Sequence, residues 1–210
     1  MCGRFTLTRN GKELADFFDL AHCPDLTPQS NIAPGSEITV IGLNKEGKRV
    51  PGMMRWGLIP HWAKAIPQYP THNARAESAA EKPSFRDAFA RRRCLIPADG
   101  WYEWRKENGH ATPWLVRRQD GAPLAFAGLW ERWHHDGRTI LSTTILTRPA
   151  TAELIPLHPR MPVLVRRADF SAWLSPETPQ EQIRAIVAKE PDGSFILQAC
   201  DPQSPCAAIT

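Results

Sequence analysis

The stretch Leu124–Leu146, LAFAGLWERWHHDGRTILSTTIL, decides the fold class of this chain. Two runs rich in β-branched and aromatic residues, Leu124–Trp130 and Thr139–Leu146, stand on either side of the dipeptide Asp136-Gly137. An Asp-Gly pair between two such runs is typical of a tight turn that joins antiparallel strands. The stretch therefore predicts antiparallel strand pairing at the centre of the fold.

The pattern of strands continues toward the N-terminus, where Asp120-Gly121 marks another short turn. Four further runs have the composition of strands: Ile38–Leu43, Cys94–Ile96, Trp101–Trp104 and Trp114–Val116. Four segments have helical spacing of apolar residues: Leu14, Phe17 and Phe18 after an Asn10 cap; Phe85, Ala88 and Phe89 after Ser84; Phe170, Trp173 and Leu174; and Glu181–Ala188. We predict an α+β fold in which short helices flank a curled, barrel-like and mostly antiparallel sheet.

Length and composition narrow the class of protein. The 210 residues suit a single domain, and 42% apolar with 23% charged residues is near the average for globular proteins, which excludes a fully disordered chain. No run of about 18 apolar residues is present, so we predict no membrane association. The N-terminus lacks a secretory signal, so we predict a cytoplasmic protein whose five cysteines are mostly free thiols, associated with the nucleoid if the source is bacterial.

The net charge of +4 makes the protein only mildly basic, but 19 of its 26 Lys and Arg residues are Arg. Arg binds phosphate through two parallel hydrogen bonds, although a GC-rich genome explains the same excess. The eight Trp are also open to two interpretations. Trp stacks on unpaired bases, but it is more often part of a hydrophobic core.

Several kinds of chemistry are absent from the sequence. Cysteines and histidines do not occur at the spacing of a zinc site, and no glycine-rich phosphate loop precedes a helix, so we predict neither a metal nor a cofactor. The run Arg91–Arg93 favours a solvated helix end, with attraction of an anion as the alternative.

Cys2 is the residue with the most distinctive chemistry. Removal of Met1 leaves a chain that begins with an α-amine and a thiol on adjacent carbons. The amine, with a pKa of about 7.7 to 8.0, condenses with an aldehyde to an imine, and the neighbouring thiol then closes a five-membered thiazolidine. Taken alone, a Cys at position 2 is usually accidental.

Six segments in the same order resemble the SRAP family, whose members process abasic sites in DNA. They are Cys2–Phe5 (CGRF), Asn31–Gly35 (NIAPG), Arg55–Pro60 (RWGLIP), Asn73–Glu77 (NARAE), Ala98–Trp104 (ADGWYEW) and His158–Pro162 (HPRMP). The resemblance covers residues 2–175. It implies a mixed barrel-like fold with a basic cleft, and a thiazolidine crosslink between the N-terminal Cys and an abasic site in single-stranded DNA.

The resemblance implies catalytic roles for Cys2, Asn73, Glu103 and His158. A neutral Asn holds the amine by hydrogen bonds, a buried Glu among aromatic residues has a raised pKa that suits proton transfer, and an imidazole protonates the sugar ring oxygen as the deoxyribose opens. From the residues alone, Asn73 also suits a turn, Glu103 an ion pair with Arg105, and His158 an ordinary loop.

The same resemblance implies DNA-binding residues around the lesion. We predict that Arg4, Arg75 and Arg160 bind phosphates and that Pro34, Gly35 and Trp62 border the cleft. The predicted partner is single-stranded DNA containing an abasic site, and the predicted oligomeric state is a monomer. The C-terminal sequence 195–210 departs from the family pattern, so the resemblance does not predict which residues form the C-terminal edge of the cleft.

Two other functions are compatible with the residues. One is a cysteine autoprotease or peptidase that uses Cys2, Glu103 and His158 and removes Met1 itself. The other is a non-covalent single-stranded DNA-binding protein that uses only Arg and Trp, and its binding would survive Cys2→Ala unchanged. Lyase activity and reversal of the crosslink are further expectations if the protein crosslinks to abasic sites.

Overall fold

The computed structural model describes residues 2–107 and 110–200. Within these ranges the strands, β1 to β12 in chain order, are Arg4–Leu7, Gln29–Ile32, Glu37–Leu43, Arg49–Trp56, Asn73–Arg75, Arg93–Ala98, Gly100–Glu107, His110–Arg118, Leu124–His135, Arg138–Pro149, Arg160–Pro162 and Phe195–Ala199. The α-helices, α1 to α5, are Gly11–Phe18, Ala76–Ala79, Arg86–Arg91, Phe170–Leu174 and Gln180–Ala188. All six strands predicted from composition are present, each longer than the predicted run.

Five of these strands close into a barrel. The ladder runs from β10 to β4, β3, β6 and β9, and β9 pairs with β10 again. Every pair in this ring is antiparallel except β4 with β10, which is parallel. Two short strands, β5 and β11, lie on the C-terminal part of β10 beyond the ring. The predicted barrel-like, mostly antiparallel architecture is therefore confirmed.

A second, open sheet lies beside the barrel in the order β12-β8-β7-β1-β2. The two short turns that were predicted to join paired strands differ in what they connect. Asp136-Gly137, with φ of 48° and 73°, joins β9 to β10 as a hairpin. Asp120-Gly121 instead leads from β8 in the open sheet to β9 in the barrel, so the predicted antiparallel pairing across it is wrong. A turn reverses the chain, but the faces of the strands decide which sheet they join.

The predicted helices are present with one correction at their starts. Asn10 caps α1 as expected: its side chain accepts from the N–H of Glu13, and the Glu13 side chain accepts from the N–H of Asn10. Ser84 does not cap α3, because the helix begins one residue later than predicted and its cap position is Phe85. Helix α2 was not predicted. Among the described helices, none is long and apolar enough to span a membrane.

Aromatic side chains connect the two sheets. Phe5 of β1 packs edge-to-face on Trp56 and on Phe126, with ring centroids 5.2 and 5.8 Å apart. Trp101 and Trp173 are also fully buried, so the interpretation of Trp as core is confirmed for these residues. This core packs β1, which begins two residues after Cys2, against the barrel wall. Three cysteines in the described part of the chain, Cys2, Cys23 and Cys94, are buried free thiols.

Candidate active site

The pairing of β1 with β7 brings Cys2 close to Glu103. In this ladder Arg4 lies opposite Tyr102 and Phe5 opposite Trp101, so continuing the antiparallel register places the start of the chain alongside Glu103. Cys2 is fully buried, and its Sγ lies 3.8 Å from the carbonyl oxygen of Arg4. The negative charge of Glu103 is close enough to act on the Cys2 thiol.

Asn73 reaches the same point from the barrel. Strand β5 pairs in parallel with β10, with Asn73 opposite Ile145, and the side chain projects from this pair toward β1. Its Nδ2 donates to the carbonyl oxygen of Cys2 at 2.7 Å. Its Oδ1 is buried and has no hydrogen-bond partner among the described residues. An acceptor without a donor, on the residue that holds the Cys2 backbone, is suited to receive an N–H from the Cys2 amine.

His158 approaches Glu103 from the turn before β11. Its Nδ1 lies 4.0 Å from Oε2 of Glu103. The same nitrogen lies 3.0 Å from the backbone nitrogen of Arg160 and 2.9 Å from its carbonyl oxygen. The neutral ring can therefore accept from the Arg160 N–H, and a protonated Nδ1 can donate to the carbonyl. Trp101, Leu154 and the pair Glu103–His158 surround one narrow gap.

Burial sets the protonation of the three titratable groups. It raises the pKa of Glu103 to about 7, and it raises the pKa of the Cys2 thiol well above its usual range. It lowers the pKa of His158. At neutral pH Glu103 is thus divided between its acid and its carboxylate forms, while the thiol keeps its proton and the imidazole is mostly neutral. The raised pKa of Glu103 was predicted from its aromatic neighbours, Trp101, Tyr102 and Trp104.

Three arginines were predicted to bind phosphate, and the structure places them differently. Arg4 donates from Nη1 to Oδ1 of Asn31 at 2.9 Å and stays partly exposed. Arg75 is exposed on β5, two residues from Asn73. Arg160 is held by Glu77, with Nη1 to Oε1 at 2.6 Å and Nη2 to Oε2 at 3.0 Å. The terminal nitrogens of the Arg160 guanidinium are therefore already bound to the Glu77 carboxylate, whereas the Arg75 side chain is exposed to solvent.

Two side chains that hold Arg160 were given no role by the sequence analysis. Arg160 Nη2 also donates to Oγ1 of Thr147, on β10 opposite Arg75. Glu77 follows Arg75 in the NARAE segment, and its ion pair with Arg160 lowers the pKa of Glu77. The position of Glu77 in the NARAE segment was the feature of the sequence that could have indicated its role. No motif around Thr147 indicates a role for that residue.

The remaining predicted DNA-binding residues lie on the surface. Pro34 and Gly35 form the exposed turn after β2, where the Gly35 N–H donates to the carbonyl oxygen of Trp56 at 2.7 Å. Trp62 is 54% exposed, and its Nε1 lies 3.4 Å from the carbonyl oxygen of Pro83. In the described residues, no three Cys, His, Asp or Glu side chains are grouped to hold a metal ion.

Comparison with known proteins identifies the family of this chain. The chain is 38% identical to the abasic site processing protein YoaM of Bacillus subtilis over 183 residues, 84% of this chain and 80% of that protein. It is 27% identical to the abasic site processing protein YedK of Escherichia coli, over 96% of this chain and 88% of that protein. A crystal structure from Bordetella bronchiseptica superposes with a TM-score of 0.84 at 28% identity, covering 95% of this chain and all of that one. The family model described as SOS response associated peptidase matches residues 1–201, and the chain therefore belongs to the SRAP family.

Proposed function

We propose that this protein captures abasic sites in single-stranded DNA and, after removal of Met1, forms a thiazolidine crosslink through Cys2 that shields the lesion. The observation that carries the proposal is the hydrogen bond from Asn73 to the Cys2 backbone, beside the Glu103–His158 pair. Names of relatives that match most of the chain support the same substrate. The protein acts on the DNA as a monomer.

The first chemical step forms an imine. The α-amine of Cys2 attacks C1′ of the ring-opened deoxyribose, and the resulting hydroxyl leaves as water when a proton is supplied. With a pKa of about 7, Glu103 is the better acid at neutral pH, because burial lowers the pKa of His158 and leaves its ring mostly neutral. We therefore assign to Glu103 the proton for water loss. This leaves the protonated imine and the Glu103 carboxylate, and His158, 4.0 Å away, is placed to pass a proton to or from that carboxylate.

The second step closes the ring. The Cys2 sulfur adds to C1′ of the protonated imine, the C=N π electrons return to nitrogen to give the ring N–H, and the thiol proton passes to a base. The raised pKa of the thiol means that a base must take this proton, and we assign that role to the carboxylate of Glu103, whose charge contributes to the raised pKa of Cys2. Because sulfur and nitrogen belong to one residue, their effective concentration is high. Fast closure protects the strand, since an open imine acidifies the C2′ protons and leads to cleavage by β-elimination, the proposed lyase reaction.

A peptidase reaction receives less support from the same geometry. A cysteine protease needs a thiol whose pKa is depressed so that the thiolate attacks first. Burial raises the pKa of Cys2 instead, which favours attack by the amine and later entry of the sulfur. If the protein only bound DNA non-covalently, the hydrogen bond from Asn73 to Cys2 would have no role in a reaction.

The experiment that tests the proposal is intact mass spectrometry after incubation with a single strand that carries one abasic site. We expect the protein mass to lack Met1 and to increase by one DNA strand, with one water lost. A strand of the same sequence without the lesion is the control and should add no mass. A purified protein that begins at Cys2 and leaves the abasic strand unattached would contradict the proposal.

Replacement of Arg75 by Ala should make DNA binding less dependent on salt. Each phosphate contact on a single strand contributes a slope of roughly −0.7 in log affinity against log salt, so loss of Arg75 should reduce the slope by about that amount. The matched control is Arg138→Ala, which removes an exposed charge near the β9–β10 turn. Equal slopes for the wild type and Arg75→Ala would remove Arg75 from the binding site. Because Glu77 already binds the Arg160 guanidinium, a phosphate can bind Arg160 in the same way only after it displaces Glu77.

A further inference from the structure

Arg55 at the end of β4 is a cation without an anionic partner in the described structure. It lies opposite Glu37 in the β3–β4 ladder, where opposite charges normally form a cross-strand pair. No carboxylate of the described residues lies within 4.0 Å of its guanidinium, that of Glu37 included. Arg55 is only partly exposed. An anion that binds the Arg55 guanidinium would therefore meet no competing carboxylate from the described residues.

The Arg55 side chain turns toward two glycines. Its Nη1 donates to the carbonyl oxygen of Trp56 at 3.3 Å, which uses one of the five N–H donors of the guanidinium. A Cβ at Gly57, where φ is +134°, would lie 2.7 Å from that Nη1. A Cβ at Gly35 would lie 3.9 Å from Nη2. The guanidinium thus lies beside two glycines. Because glycine has no side chain, neither residue covers the remaining N–H donors of Arg55.

The backbone around Arg55 connects it with the candidate active site. The N–H of Leu58 donates to the carbonyl oxygen of Thr71 at 3.2 Å, and Nε1 of Trp56 donates to that of His72 at 2.8 Å. The next residue, Asn73, holds the Cys2 backbone. The segment after Arg55 is therefore hydrogen-bonded to the segment that leads into the site.

On its other side Arg55 adjoins the turn that follows β2. Gly35 in this turn lies beside the guanidinium, and Asn31 at the start of the same segment accepts the hydrogen bond from Arg4. Arg4 and Arg55 therefore lie at the two ends of one short piece of backbone. A DNA strand that passes over Pro34 and Gly35 would meet both cations.

We propose that Arg55 binds a backbone phosphate of the single strand next to the abasic site. This inference rests on the proposed function, which supplies the DNA. A guanidinium presents parallel donors that match two phosphate oxygens, and the flanking glycines allow a phosphate to approach without meeting a side chain. Lys at this position would keep the charge but lose the paired geometry.

The test measures binding of a single strand that carries a tetrahydrofuran analogue of the abasic site. This analogue has no aldehyde, so it reports equilibrium binding apart from crosslinking. Affinity is measured between about 50 and 200 mM salt for the wild type, Arg55→Ala, Arg55→Lys and the control Arg138→Ala. Thermal unfolding of each protein is followed alongside.

We expect Arg55→Ala to bind roughly tenfold more weakly at low salt and to reduce the salt slope by about 0.7. Arg55→Lys should keep most of the slope and lose part of the affinity, and Arg138→Ala should match the wild type. An Arg55→Ala protein with the wild-type slope, whether or not its melting temperature falls, would overturn the inference. The test is separate from the proposed function, since failure of the wild type to crosslink an aldehyde-bearing strand leaves this titration unaffected.

Discussion

Cys2→Ala should abolish the stable adduct with abasic single-stranded DNA, the largest effect expected for any single change in this protein. Alanine keeps the α-amine, so an imine can still form, but the sulfur that closes the ring is gone. An imine hydrolyses in water, and no covalent product should survive denaturation. The measurement is denaturing electrophoresis with intact mass, at protein in excess over DNA. A stable adduct formed by Cys2→Ala would exclude the thiazolidine.

Cys2→Ser is the matched variant, because it preserves the size and hydrogen-bonding capacity of the side chain. Its hydroxyl is a far weaker nucleophile than a thiol, so we expect the open imine to persist longer than in the wild type. Borohydride should therefore trap a covalent product from Cys2→Ser. Strand cleavage by β-elimination should also increase, since closure no longer competes with it. Cys23→Ala is a control for loss of a buried thiol remote in sequence from the site.

Glu103→Gln should slow crosslinking and change its pH profile. Positioned acid–base groups contribute about 10²- to 10⁴-fold, and we expect a loss of at least about 10²-fold in the single-turnover rate. In the wild type, the pKa of Glu103, about 7, should appear as one inflection, because the group changes from proton donor to base as the pH rises through it. The α-amine should give a second inflection near 8. Glu103→Gln should keep only the second.

The pH profile separates a chemical role of Glu103 from a structural one. Glu81→Gln removes an exposed carboxyl and should retain both inflections. His158→Ala should slow both formation and reversal of the crosslink, since the groups that move protons in one direction also move them in the other. Binding to the tetrahydrofuran strand should stay within about twofold of the wild type in each variant. Wild-type rates combined with tenfold weaker binding would remove Glu103 and His158 from the chemistry and leave them DNA contacts.

Local sequence was a good guide to the elements of this fold and a poor guide to their partners. The composition of Leu124–Trp130 and Thr139–Leu146 predicted two strands, and the structure confirms both within β9 and β10. Short strands such as β5, β11 and β12 were missed. They contain three to five residues, too few for alternation of apolar and polar side chains to show, and they depend on pairing with longer neighbours.

The run Arg91–Arg93 shows why a charge pattern does not predict its own environment. It was interpreted as a solvated helix end or an anion-attracting cluster. Arg93 is instead buried and donates to the carbonyl oxygens of Phe89, Ala90, Trp173 and Ser175, at the C-terminal ends of α3 and α4. The unpaired carbonyls of two helix ends supply its partners. One of those ends lies more than 70 residues away, so no local pattern contains it.

The sequence by itself determined the mixed α+β class, the central strands, the cap of α1 and the set of residues proposed to react, since these depend on local spacing and on six short segments. Only the tertiary structure decided that β1 and β5 bring Cys2 and Asn73 into contact, that Glu77 binds the Arg160 guanidinium, and that no carboxylate of residues 2–107 and 110–200 pairs with Arg55. Hydrogen bonds and ion pairs act over a few ångströms in space, whereas these partners lie 71 and 83 positions apart in the chain. Their encounter depends on strand register and barrel closure, which are properties of the whole fold.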